Sequence, residues 1–236
     1  MPALRLIAWN CHHGSVSARL AELATFAPAI VFLQECQPGG RHPLASSCMT
    51  FRVNARKCIV LASLNADYQI TPLRRQRNRG RAIVAATVTG PASFTALGIW
   101  AQGPRYVDDV MRTLDAYHSV LQSGPAVVMG DLNSGSNLTR QLPSKGHARI
   151  LAALKDCGLV SAYHAFHGVA HGHEAHPTYR HQRKVSKPWH IDFCFVPVAW
   201  VENLQAVEVV DGGEWPTKSD HLPLNVEIRF RRRGRC

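Results

Sequence analysis

GEWPTKSDHLPLNV, residues 213 to 226, sets the polar triplet Ser219-Asp220-His221 against an apolar run near the end of the chain. An acid beside an imidazole where a strand enters a core is either a surface turn or the edge of an active site, because a charge at such a mouth is costly unless it is paired, protonated or metal-bound. The pattern recurs. Strands are expected at LRLIAWN (4 to 10), IVFLQE (30 to 35), KCIVLAS (57 to 63), RAIVAATVT (81 to 89), FTALGIWA (94 to 101), AVVMGDL (126 to 132), HIDFCFV (190 to 196) and LPLNVEIRF (222 to 230). Each is a short apolar or alternating run bounded by turn residues. Asn10 closes the first, Glu35 the second, Asp131 and Asn133 follow VVMG, Asp192 interrupts HIDFCFV, and Asp220-His221 precede the last. Polar groups at five strand ends point to one shared pocket.

Three segments, 16 to 26, 107 to 122 and 147 to 158, carry apolar residues at three- and four-residue spacing and read as amphipathic helices, the last stopping at Gly158. Helices interleaved with strand pairs favour two packed sheets flanked by helices over a purely parallel sheet. At 236 residues one domain is expected, over residues 1–230, followed by a basic tail at 231–236. No segment has the apolar length of a membrane span, and no secretory signal pattern follows Met1, so no membrane association and a cytoplasmic location are expected. The seven scattered cysteines include no Cys-x-x-Cys and are expected to be mostly buried, reduced side chains.

The charge narrows the partner. Lys and Arg number 27 against 16 Asp and Glu, a net +11, and the excess gathers in RRQRNRGR (74 to 81), RHQRK (180 to 184) and RFRRRGR (229 to 235). Such clusters concentrate polyanions, so nucleic acid or another phosphorylated substrate is the expected partner, with no obligate protein partner evident. The strand-end groups are carboxylates and amides without a Cys or His ligand cluster, which favours a hard cation, Mg²⁺ or Mn²⁺. Singly, each has a plainer reading: Asn10 and Asn133 as turn or cap residues, Glu35 as a strand reaching water, Asp192 as a satisfied buried acid, His221 as a core histidine.

Their joint order carries more. WN (9 to 10), QE (34 to 35), GDLN (130 to 133), HIDF (190 to 193) and SDH (219 to 221), taken together, resemble the endonuclease/exonuclease/phosphatase superfamily, which includes exonuclease III- and DNase I-like enzymes, and in particular its small bacterial members. The resemblance spans about residues 4 to 227 and implies a four-layer α/β sandwich of two packed mixed sheets, with the site at one end. It assigns Glu35 as principal metal ligand, supported by Asn10 and Asp220. It sets His221 against the phosphate with Asp192 fixing its tautomer, Asp131 managing a proton at water or leaving oxygen, and Asn133 donating to the phosphate. Two departures stand out: Cys11-His12 follow Asn10 where many relatives carry an acid, and Trp100, Gln102 and Gly103 replace residues with which the abasic-site branch binds DNA. Trp100 and Tyr106 remain candidates to line the pocket, and Arg180, Arg183 and Lys184 to contact phosphate.

Between His164 and His181 lie six of the 13 histidines, expected to form a flexible substrate-facing loop, with metal capture as the alternative. The expected activity is Mg²⁺-dependent hydrolysis of phosphate esters, foremost phosphodiesters of nucleic acid. The alternatives are a phosphomonoesterase or small-molecule phosphodiesterase on the same scaffold, and a catalytically idle nucleic-acid-binding module.

Overall fold

The computed structural model describes residues 3–39, 42–73, 82–138 and 144–230. The basic runs at 74–81 and 231–236 lie outside the described residues. One six-stranded sheet has the spatial order β13 (Leu204–Val209), β14 (Leu224–Ile228), β1 (Leu4–Asn10), β2 (Ile30–Cys36), β4 (Cys58–Ser63), β3 (Ser47–Arg52). The other runs β5 (Gln69–Pro72), β6 (Ala82–Thr89), β7 (Phe94–Trp100), β8 (Ala126–Asp131), β12 (Asp192–Pro197), β9 (Leu159–Ser161). A short hairpin, β10 (Tyr179–Arg180) and β11 (Pro188–Trp189), stands apart from both. Each sheet holds a parallel pair, β1 with β2 and β7 with β8, whose crossovers run through α1 (Val16–Ala24) and α2 (Tyr106–Leu121).

Two-residue alternation builds the layers. Leu4, Leu6 and Ala8 of β1, Phe32 of β2, Met129 of β8, Cys194 of β12 and Val226 of β14 share one core between the sheets. The intervening Ile7, Trp9, Val31 and Leu33 face outward, where Val16, Leu20 and Leu23 of α1 cover them. On the second sheet Leu97, Ile99, Val128, Phe193 and Phe195 pack under α2 and α3 (Ser144–Asp156). Helix, sheet, sheet and helix are thus stacked in the expected four layers. Ser15 caps α1 by accepting from the Ala18 amide, and Asp108 and Asp109 complement the positive end of α2. Gly130 admits no side chain: its φ is +130°, and a Cβ there would lie 2.1 Å from the Ile99 carbonyl oxygen.

The eight expected strands are present, with ends displaced by at most two residues; β12, for one, begins at Asp192 rather than His190. Unanticipated are β3, β5, β9, the β10–β11 hairpin and β13, and the short helices α4 (Ala162–His167) and α5 (Trp215–Lys218). The His-rich tract is a correction. It is folded, with Ala162 and Tyr163 of α4 in the inter-sheet core, and His164 buried. His164 is turned inward and meets the Glu174 carboxylate, Phe166 to Gly168 are exposed, and the tract enters the hairpin at Tyr179. The six described cysteines are free thiols, all buried but Cys48. Among the described residues no helix is long and apolar enough to cross a membrane.

Candidate active site

Strand parity delivers polar groups to one end of the inter-sheet core. Two residues beyond Ala8 on that face comes Asn10; two beyond Met129 comes Asp131; and on the antiparallel β12, two before Cys194 comes Asp192. Register sets Asp131 directly opposite Asp192 on neighbouring strands, and both are buried, 1% and 0% exposed. Glu35 reaches the same place by an exception. Simple alternation would send it outward with Val31 and Leu33, but the register with β4 slips between Leu33 and Cys36, and Glu35 takes φ +59°. A bulge of this kind re-aims one side chain and leaves the strand on either side in register.

His221 enters from the opening segment. Ser219 donates its hydroxyl to the Asn10 carbonyl at 2.7 Å and accepts from the His221 amide, while Trp9 Nε1 donates to the His221 carbonyl. The imidazole, 5% exposed, meets Asp192 Oδ2 through Nδ1 at 2.9 Å and turns Nε2 toward Asp131 Oδ2, 3.9 Å away. Asp192 is held in turn by Thr178, whose hydroxyl accepts from the Ile191 and Asp192 amides. Burial alone would push the imidazole down, but the charges of Asp192 and Asp131 lift it to about 10, so it is a cation at neutral pH. Burial lifts the Asp131 carboxyl to about 7, with Asp192 adding to the rise and His221 opposing it. Two buried acids flanking one base favour a proton on the imidazole, and burial raises the affinity of the Asp131 carboxyl for a proton of its own.

Asn10 links this array to Glu35: its Nδ2 donates to Glu35 Oε1 and to Asp131 Oδ2, both at 3.0 Å. Lys57 donates to the other Glu35 oxygen. Burial raises the Glu35 carboxyl, but the Lys57 and Asn10 hydrogen bonds outweigh it and hold the group below the usual carboxylate range. A carboxylate kept ionised in a buried corner with an ammonium against it is a place that accommodates positive charge. His12, His13 and Glu35 each offer a ligand atom within 4.8 Å of the others, and His12 Nδ1 lies 3.5 Å from Asp220 Oδ1. The carboxylate and amide oxygens of this set suit a hard divalent cation, Mg²⁺ or Mn²⁺, while its two imidazoles favour Mn²⁺ or a softer first-row ion over Mg²⁺. Asn133, at φ +47°, donates its backbone amide to Asp131 Oδ1 at 2.8 Å and spends its side-chain amide on Asp131 Oδ2 and the Ala101 carbonyl.

The candidate substrate residues divide. Trp100 is buried, its ring facing Lys57 Nζ at 5.3 Å, and Tyr106 opens α2, half-buried. Arg180 donates its backbone amide to the Asp220 carbonyl and pairs its guanidinium with Asp211. Arg183 and Lys184 are exposed at the hairpin tip, Arg183 donating to the Thr217 carbonyl. Lys57, Tyr179 and the His12 and His13 imidazoles are not among the site residues expected from the sequence. The Tyr179 ring lies 4.5 Å from that of His221, and burial with the nearby charges of Asp220, Asp131 and Glu35 pushes its hydroxyl up to about 12. Lys57 left one signal, a cation opening an apolar strand, but its partner is set by a pairing that spacing does not reveal.

The sequence also places the chain in a family. The endonuclease/exonuclease/phosphatase family model matches residues 7–221, and the chain belongs to that family of phosphoester hydrolases. Among solved structures it is similar to an AP endonuclease from Archaeoglobus fulgidus, at 17% identity and TM-score 0.70, over 96% of this chain and 100% of that one. It is also similar to the 3'-5' exonuclease NExo from Neisseria meningitidis, at 18% identity and TM-score 0.69, over the same shares of the two chains. A third is the endonuclease domain of TRAS1, a telomere-specific non-LTR retrotransposon, at 18% identity and TM-score 0.65, over 97% of this chain and 99% of that one. No curated protein sequence matches the chain.

Proposed function

We propose that this protein is a divalent-metal-dependent phosphodiesterase acting on nucleic acid. The observation that carries the reading is the buried Asp192–His221–Asp131 array, joined through Asn10 to Glu35 and bordered by an exposed basic hairpin. A cation held by Glu35, with Asn10, Asp220 and the His12 and His13 imidazoles around it, would supply Lewis-acid polarisation of a phosphoryl oxygen. The remaining work falls to this chain's own groups. Asp192 fixes the His221 proton on Nδ1 and leaves Nε2–H to donate to a non-bridging phosphate oxygen, where charge develops. Asp131, in its ionised form, takes the proton of the attacking water as its oxygen bonds to phosphorus, the P–O bond to the leaving group breaks, and the leaving oxygen takes a proton from solvent. Asn133 and Asn10 position that carboxylate, and because the amide hydrogens of Asn133 already serve Asp131 and Ala101, its role here is orientation of the acid rather than direct donation to phosphate.

Nucleic acid is preferred over a small ester because the net charge of +11 gathers in runs, one of them at the site in the hairpin. The test is a substrate panel: plasmid, single-stranded DNA, RNA, an abasic duplex, a 3'-phosphorylated hairpin and nitrophenyl mono- and diesters, each with Mg²⁺, Mn²⁺ or EDTA. Metal-dependent cleavage of internal or terminal phosphodiesters at rates well above the nitrophenyl esters is expected. Turnover confined to the monoesters would replace this reading with a phosphatase, and binding of DNA without turnover of any substrate would replace it with an idle binding module.

A further inference from the structure

Across β12 from Asp192, on the outer face of the second sheet, four imidazoles surround the Phe193 ring, and a carboxylate pairs with one of them. The rings of His147, His164, His171 and His190 lie 5.1 to 6.3 Å from it. His164 Nε2 meets Glu174 Oε1 at 2.9 Å, His171 stacks on His164 with centroids 3.5 Å apart, and these three residues present ligand atoms all within 4.8 Å of one another. His147 stands 5.9 Å from His171, and His190 stands 5.9 Å from His164, ring centre to ring centre.

The orientation of these rings is the telling feature. Three of them have Nδ1 tied to a partner outside the cluster: His147 to the Ser134 hydroxyl at 3.0 Å, His164 to the Ser161 hydroxyl at 2.8 Å and His190 to the His176 carbonyl at 2.9 Å. A carbonyl only accepts, so His190 carries its proton on Nδ1 and its Nε2 is a bare lone pair. That Nε2 is buried without a partner, as are His147 Nε2 and His171 Nδ1; among the described residues these are the buried imidazole nitrogens left unsatisfied. A native interior does not ordinarily leave three polar nitrogens unpaired in one place, since each is costly to bury alone. Imidazoles tied through one nitrogen with the other free are how proteins present histidine to a metal.

We propose that His164, His171 and Glu174, with the open nitrogens of His147 and His190 beside them, bind a transition-metal cation of the zinc class, at a site separate from the reaction centre. Imidazole and carboxylate donors without thiolate suit Zn²⁺ and its first-row neighbours, whereas Mg²⁺ takes oxygen ligands. Metal–ligand bonds of about 2.0–2.2 Å space tetrahedral donors about 3.4 Å apart, and the three ligand atoms already lie within 4.8 Å of one another, with His164 Nε2 and Glu174 Oε1 at 2.9 Å. The ion would clamp α3, α4, the turn carrying Glu174 and the approach to β12 together. Two of the tied residues adjoin the proposed catalytic groups, Ser134 next to Asn133 and His190 two positions before Asp192, so the clamp steadies the framework under the reaction centre without entering it.

The test uses the full chain, stripped with chelator, given ZnCl₂ alone and then CoCl₂ alone. Expected is one tightly held zinc per chain after gel filtration, visible Co²⁺ bands of low-symmetry nitrogen and oxygen coordination, and a rise in melting temperature with zinc. His171→Ala and Glu174→Gln should abolish all three readouts, with circular dichroism verifying the fold. Ser161→Ala, which keeps every ligand and frees one ring, should weaken zinc binding by about 10–100-fold. Glu35→Gln and His13→Ala should keep the zinc, which separates this site from the catalytic one. No zinc retained by the wild type, zinc retained unchanged in folded His171→Ala and Glu174→Gln, or zinc lost in the Glu35 and His13 variants instead, would each overturn the assignment.

Discussion

At the scale of the residue, His221 gains its proposed role from its two neighbours rather than from its own chemistry. A buried imidazole left to itself would be neutral; between Asp192 and Asp131 it stays a cation to about pH 10. Removing it in His221→Ala should lower turnover by about 100- to 1,000-fold, the range for losing one preorganised donor to a developing oxyanion, with little loss of stability. Asp192→Asn keeps the shape but weakens the cation and permits the other tautomer, so its loss should be large as well. Because Asp192 acts through the ring, the double variant should match His221→Ala alone, and a cycle measured in kcat would expose additive losses if the two residues worked separately.

At the scale of the element, parity made part of the site legible and register concealed the rest. Asn10, Asp131 and Asp192 each fall one even step from an apolar core position, so the alternation of LRLIAWN, AVVMGDL and HIDFCFV exposes them on sight. Glu35 was legible as a residue but not in its direction, which depends on a bulge. Lys57 and Tyr179 arrive through β4 and the hairpin, and such long-range pairings leave no trace in local spacing. Three of the missed strands share a cause: β3 alternates half-buried with exposed positions, β13 exposes four of its six residues at least in part, and β9 is three residues long, so none presents a long apolar run. The hairpin carries the element-scale prediction. Its exposed Arg183 and Lys184 stand beside the strand that contacts Asp220 and His221. The paired change Arg183→Ala with Lys184→Ala should weaken binding to DNA of any sequence and reduce the slope of log affinity against log salt by about one for each phosphate that is no longer neutralised. An unchanged slope would mean that these charges face solvent and not substrate.

At the scale of the whole molecule, two sheets bring their polar strand ends to one rim while apolar residues fill the space behind it. The inter-sheet core fixes the positions of groups more than 200 residues apart in sequence, as Ser219 and Asn10 illustrate by their direct hydrogen bond. The two charge systems this frame holds lie back to back across β12: the Asp192–His221–Asp131 array toward the inter-sheet mouth and the histidine cluster over Phe193 on the outer face. In the proposed mechanism, Glu35 anchors a divalent cation on which phosphoester cleavage depends. The most direct measurement of that dependence is cleavage of a DNA substrate by wild type and Glu35→Gln across a Mg²⁺ or Mn²⁺ titration after EDTA treatment. The change removes one charge and almost no volume, so the fold should survive. Expected are no activity in EDTA, restoration of the wild type by added metal, and at least a roughly 100-fold deficit in the variant, in keeping with several kcal/mol of charge stabilisation. Wild-type rates that persist in EDTA, or a Glu35→Gln protein whose metal response matches the wild type, would contradict that mechanism.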